Sequence, residues 1–583
     1  MYRTMTKYMT YNSNKIGSQQ GMGGISEEFD NEWNWNFSQT LNWGHDYGLN
    51  HVDVVLSHEV NRIGTGYSYV SLQGQKLDGI YSLGNFNIDE EYTAALEADM
   101  GYATETYLGR VRYNYDQKYF GEVSLSRDGS SQFAKDRRWG TFWSVGASWI
   151  ITKEKFMQDI NWINYLKFRA AYGSVGNNQN CSYYNYLTLY DWSMNGTLIP
   201  AQIANPNLVW EATNTLDLGL EGSLFDDRFT FSVGYFDKRN SDLIYSLALP
   251  SSVGSLGNTG YNPTISTNIG EMKNHGWELQ FGVDIIRNAN LKWNFNCDFS
   301  FITNKIVRLP NSKDLPSSAL FQGKSRYENY TYEYAGVDMT NGRALYKMNP
   351  DSPDFYTYHD GGGRTYNEST WNTTLNEAKA NDSFVEIDGE YYTYNTSYAG
   401  RKLMGTKLPT VYGSFGTTLS WKGINLGMLF TYSLGGKILD SNYMDLLSVS
   451  SQSPNALHSY VLNSWFEAPE GMTADSPDRI SKSVLPTLNT QYSVDNNASS
   501  SRFLTSANYL TFKNLNISYD LPSKWVNAMK LRGINIGFQM ENVFIVTARK
   551  GLNAEAAMGG TVGSNGAYYQ PARTYTFQLG VRF

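Results

Sequence analysis

Residues 276–301 read GWELQFGVDIIRNANLKWNFNCDFSF. Trp277, Leu279, Phe281, Val283 and Ile285 alternate with Gly276, Glu278, Gln280, Gly282 and Asp284. After a polar turn at 287–290 the pattern resumes, with Leu291, Trp293, Phe295, Cys297, Phe299 and Phe301 set against Lys292, Asn294, Asn296, Asp298 and Ser300. A period of two belongs to a pleated strand, whose successive side chains point to opposite faces. The stretch is therefore a β-hairpin with one apolar face and one polar face.

The same unit recurs along the chain. Leu216, Leu218, Leu220 and Leu224 lead through Asp226-Asp227 to Phe229, Phe231, Val233 and Tyr235, and Phe415, Leu419 and Trp421 lead through Lys422-Gly423 to Ile424, Leu426, Met428 and Phe430. Trp33 to Trp43 precede Val52 to Leu56, and the chain ends on Tyr575, Phe577, Leu579, Val581 and Phe583 in strict alternation. About fifteen strands are expected, most of them the ~9 to 11 residues that cross a bilayer when tilted. Short links (44–48, 116–118, 152–163, 226–227, 287–290, 422–423, 520–530) alternate with long ones (61–103, 127–140, 175–212, 240–267, 308–410, 433–502, 547–571). Outer-membrane barrels have short turns at one rim and long loops at the other. The fold class predicted is all-β, a transmembrane antiparallel β-barrel.

Composition agrees. Aromatics make up 15% of the 583 residues and charged residues only 17%, against about 25% in an average soluble domain, with 53 Gly and 15 Pro. Mean hydropathy is -0.46, and no run approaches the ~18 apolar residues of a spanning helix. A barrel hides its hydrophobicity in alternation, because a closed sheet pairs every backbone group and turns only half its side chains to lipid. The apolar registers carry no charge, whereas the opposite ones carry Arg110, Arg112, Glu122, Glu278, Asp284 and Asp298, which suits a wet or plugged interior. A net charge of -8 without a basic stripe excludes nucleic acid as a partner. Cys181 and Cys297 do not make a disulfide framework.

No catalytic motif stands out. Six scattered histidines form no H-E-x-x-H pair, and there is no Walker loop or nucleophile elbow. No metal or other cofactor is expected; Asp351, Asp354 and Asp360 lack calcium-loop spacing, leaving a loosely built loop calcium site as the one alternative. Aromatic clusters in the long links are the candidate substrate-binding residues: Tyr183, Tyr184, Tyr186 and Trp192, then Tyr356 and Tyr358, then Tyr391, Tyr392 and Tyr394. Flat rings beside amide and hydroxyl groups suit stacking on a sugar or holding a peptide backbone. The competing reading is an interfacial aromatic girdle.

Several longer stretches carry a family likeness: SRDGSSQFAKDRRWGTFWSVGASWII (126–151), LKFRAAYGSVGNNQ (166–179), NPNLVWEATNTLDLGLEGSLFDDRFTFSVGYF (205–236), NIGEMKNHGWEL (268–279), AGVDMTNGRALY (335–346) and NYLTFKNLNISYDLP (508–522). With these in order, the chain resembles the SusC/RagA family of TonB-dependent outer-membrane transporters over nearly its whole length. The resemblance implies residence in the outer membrane of a Gram-negative bacterium and contact with its lipid. It also implies a SusD-like lipoprotein lid and coupling to TonB, with uptake of oligosaccharides or peptides. The last strand looks like the one the barrel-assembly machinery reads in such proteins. Family barrels have 22 strands behind a signal peptide, a small sandwich domain and a plug. Residues 1–583 are thus expected to be the C-terminal part of such a barrel, about 15 of 22 strands, with signal, sandwich domain and plug missing from this chain. The alternative is a passive porin or surface-binding barrel.

Overall fold

The computed structural model describes residues 2–10, 23–77, 80, 82–88, 93–192, 197–249, 264–359, 363–449, 457–555 and 571–583. Among them, sixteen strands make the main sheet, ordered in the sheet as in the chain. The sixteenth, beyond the fifteen expected, is Tyr2–Thr10, which pairs antiparallel with 24–32 of the strand Gly24–Tyr47.

The chain divides into two compact units. In the first, Gly24–Tyr47, Asn50–Gln73, Thr93–Tyr115 and Tyr119–Ser130 form successive antiparallel pairs. Two of these strands reach 24 residues, so the link expected at 61–103 shrinks to 74–92. The alternation that marks the strand fades there, because polar residues such as Arg62, Thr65, Ser68 and Ser71 occupy both registers of its far end.

In the second unit, Glu271–Arg287, Leu291–Arg308, Val411–Trp421, Ile424–Leu434, Tyr509–Asp520, Gly533–Thr547 and Thr574–Arg582 pair in that order. The hairpin at 276–301 has the register its alternation requires: Trp277 faces Phe301, Leu279 faces Phe299, Phe281 faces Cys297 and Val283 faces Phe295. A bulge between Asp284 and Ile286 then brings Ile286 opposite Trp293. The turn is set locally by Asn288, whose Oδ1 accepts from the backbone N–H groups of Asn290 at 3.0 Å and Leu291 at 2.8 Å. Lys422 and Gly423 both adopt positive φ (47° and 89°), the conformation that matches the twist of a two-residue hairpin.

Short and long links alternate as expected with one exception. The link 131–138 is shorter than 151–162, since the strands Tyr119–Ser130 and Trp139–Ile150 extend into it.

The apolar register stands uncovered by protein along these strands. Trp35, Phe37, Leu41, Trp43, Leu56, Val111, Val123 and Leu125 stand open on the first unit, and Trp277, Trp421, Ile517, Ile536, Phe577 and Leu579 on the second. Phe577 is 80% exposed. In water such a face would cost about 25 cal/mol per Å², so it demands hydrocarbon. The opposite register carries charge pairs, Arg112 with Glu122 at 2.6 Å in the first unit and Arg169 with Asp217 and Glu221 in the second.

Two links read from sequence only as loops are folded. From 309–410 and 435–508, the strands Phe384–Ile387, Glu390–Thr393, Ala344–Lys347, Tyr334–Asp338 and Ile480–Ser481 form a five-stranded sheet in that order. A helix, Glu368–Ala380, starts at Asn367, whose side chain accepts from Thr370 N–H, and buries Trp371 and Ala378.

Candidate functional site

The long links are held by buried polar clamps. In the first unit the Glu211 carboxylate, 4% exposed, accepts from Asn177 at 2.7 Å, from Asn180 at 2.9 and 3.0 Å, and from the Ile244 N–H at 2.8 Å. Asn268 acts likewise: its Oδ1 accepts from Val209 N–H, and its Nδ2 donates to the carbonyls of Val209 and Asp242. Gln132 donates to the Cys181 carbonyl at 2.6 Å and accepts from Asn178, above a core of Phe133, Cys181 and Leu208. The stretches that carry the family likeness are thus those that tie links 131–138, 178–210 and 242–270 together. Burial pushes the Cys181 thiol up to about 11; both cysteines are free.

In the second unit the folded subdomain centres on Asp338, which is fully buried. Its carboxylate accepts from Arg479 Nη2 at 2.8 Å and Nε at 3.1 Å, from Thr340 Oγ1 at 2.6 Å and from the Tyr394 hydroxyl at 2.6 Å. Burial works to raise its pKa, but these donors outweigh it and hold the carboxyl below the usual carboxylate range. Asp354 is gripped by Arg401 through Nη2 at 2.7 Å and Nε at 3.1 Å, and Asp440, nearly buried, by Arg549 at 2.5 Å.

The aromatic candidates divide between the units. Tyr183 stacks on Tyr102 with ring centroids 5.4 Å apart, and Tyr184 lines a cavity of about 590 Å³ with Trp33, Arg62, Tyr102 and Asp99. Tyr186 is half-buried nearby in sequence, and Trp192 ends the strand Leu189–Trp192. Tyr356 and Tyr358 lie on the hairpin Tyr356–Tyr358 with Arg364–Tyr366, Tyr356 edge-on to Tyr366 at 5.6 Å, and burial raises the pKa of the Tyr358 phenol. Tyr391 packs on Trp371 and Phe384 in a subdomain core, Tyr392 is half-buried against Val385 and Leu345, and Tyr394 is 6% exposed. Tyr391 and Tyr394 are therefore packing residues rather than open platforms, because the surrounding link folds over them. The calcium alternative loses Asp354 to Arg401, Asp360 lies outside the described residues, and no group of three or more His, Cys, Asp or Glu is placed to hold a metal among the described residues.

Sequence reading missed two features. Arg343, in the turn between Tyr334–Asp338 and Ala344–Lys347, has its guanidinium carbon 4.2 Å from the Tyr394 ring centroid and 4.5 Å from that of Tyr492. Leu462 and Phe466 stand 91% and 90% exposed on either side of a fixed anchor, Trp465, whose indole N–H donates to the Met339 carbonyl at 3.0 Å. Neither was legible, because both depend on residues far away in the chain.

A sheet with an exposed apolar register, short turns and long folded links defines a membrane β-barrel wall. Residues 1–376 match the family model described as TonB dependent receptor-like, beta-barrel, and the chain belongs to that family. It is 27% identical to TonB-dependent receptor P3 of Formosa agariphila over 97% of this chain and 54% of that one, and 25% identical to TonB-dependent receptor SusC of Bacteroides thetaiotaomicron over 85% and 45%. The chain spans about half the length of the curated relatives it matches. The solved structure of the RagAB peptide transporter superposes with a TM-score of 0.74 at 22% identity, covering 100% of this chain and 58% of that one, which shows a shared fold. The curated relatives it matches are described as TonB-dependent receptors.

Proposed function

We propose that the chain forms the wall and long loops of an outer-membrane importer of a Gram-negative bacterium, which takes up oligosaccharides or peptides and is energised through TonB. The observation that carries this reading is the open apolar register, which suits lipid, combined with long links folded into a subdomain. The SusC and RagAB likeness supports a SusD-like lipoprotein lid as partner. On the subdomain, Leu462 and Phe466 offer it an apolar foothold. The exposed Glu467, Glu470, Asp475 and Asp478 beside them favour a basic-rimmed protein over an anionic lipid surface. The final strand, with Tyr575, Phe577, Leu579, Val581 and Phe583, is proposed as the signal read by the barrel-assembly machinery.

The test is uptake of labelled oligosaccharides and peptides by the native host carrying the full-length protein, with and without an active TonB system. Uptake that stops when TonB is inactivated supports the importer. Uptake that persists identifies a passive porin, and recovery of the protein in the soluble fraction without detergent overturns the membrane reading.

A further inference from the structure

The turn Asp338–Arg343 holds an arginine that is fixed by two rings and forms no ion pair among the described residues. Asp338 is committed to Arg479, with both guanidinium edges of contact spent on that pair. The hydroxyl of Tyr394 donates to the same carboxylate and accepts from Asn341 Nδ2 at 2.8 Å, which fixes the Tyr394 ring. Arg343 lies against that ring, and Tyr492 covers it at 4.5 Å. Two aromatic contacts fix the guanidinium plane and leave its edge as the direction for donors. Its Nε is buried without a partner, and no ion pair to Arg343 forms among the described residues. Asp495 feels its charge through space, but burial outweighs that attraction and raises the pKa of the carboxyl. A partner removed from water is costly to leave unmet, whereas a pre-oriented fork matches the two oxygens of a carboxylate.

We infer that Arg343, held against Tyr394 and Tyr492, is a binding site for a carboxylate carried by the ligand. The inference rests on the proposal that this subdomain meets imported ligands, and it narrows their class to molecules bearing a carboxylate: a uronic-acid oligosaccharide or a peptide with a free C-terminus. The Asp338–Arg479 pair acts as its positioning element, since it fixes Tyr394.

The experiment uses the full-length protein in detergent and isothermal titration with four probes: trigalacturonate, acetyl-trialanine with a free C-terminus, its C-terminal amide, and maltotriose. Binding of the first or the second, at least about tenfold tighter than its neutral counterpart, is expected, and whichever binds identifies the source of the carboxylate. Arg343→Gln should abolish that difference. Arg343→Lys, which keeps the charge and loses the fork, should lose most of it with an unchanged melting temperature. Failure of both carboxylate probes to bind overturns the inference, as does equal binding by the wild type and Arg343→Gln. If carboxylate binding is present and sensitive to Arg343 while uptake is independent of TonB, the importer reading fails and this site stands.

Discussion

The guanidinium of Arg479 meets the carboxylate of Asp338 at 2.8 Å across 141 residues of chain, joining the link 309–410 to the link 435–508 at a point closed to water. Removing one member of such a pair leaves the other buried and unpaired, at a cost of about 3 to 5 kcal/mol. Asp338→Asn should therefore loosen the subdomain and expose both links to protease, while the barrel remains heat-modifiable on gels.

The same pair sets an acid limit. Its donors hold the Asp338 carboxyl below its ordinary value, so its contribution is complete above the unfolded-state pKa of about 3.9. It is lost as pH falls through the lower folded value. Protease resistance of the subdomain should be flat from neutral pH down to about pH 4 and fall below it; a loss centred near pH 6 would contradict the assignment.

Gly342 has φ of +74°, and an added Cβ would lie 2.2 Å from the Trp465 ring. Gly342→Ala combines backbone strain of about 1 to 3 kcal/mol with displacement of the indole that anchors 459–466. Gly363→Ala, where the nearest atom is the His359 Cβ at 4.0 Å and φ is ordinary, should change stability by less than about 0.5 kcal/mol. Thermal melts of the two variants make the comparison.

Val123 is 57% exposed on the apolar register, next to the inward Glu122. Val123→Arg should cost about 2 to 4 kcal/mol in lipid vesicles. Glu122→Gln, which breaks a half-exposed pair with Arg112, should cost no more than about 1 kcal/mol. Urea unfolding from vesicles reads both, and equal costs would mean that Val123 does not face lipid.

Leu462→Ser with Phe466→Ser removes two side chains that are exposed in this chain. The melting temperature should stay unchanged and co-purification of the lid lipoprotein should fall. Retained co-purification would place the lid elsewhere.

Alternation made the hairpin at 276–301 readable, and the opposed pairs Trp277 with Phe301 and Phe281 with Cys297 follow from it. The bulge at Ile285, the far ends of Gly24–Tyr47 and Asn50–Gln73, and the strand Tyr2–Thr10 escaped the pattern. A bulge shifts the period, and a strand polar on both faces has no period to show. Tyr391 and Tyr394 looked like open platforms in sequence, since a tyrosine beside water and one beside a buried carboxylate are written alike.

The sequence alone determined most of the strands and most of the places where the links are long, because alternation follows from neighbours two residues apart. Only the tertiary structure decided that two of those links fold into a sheet, that Asp338 neutralises Arg479, and that Arg343 is left between two rings without an ion pair. Those outcomes depend on contacts between residues far apart along the chain, where burial changes what a charge costs.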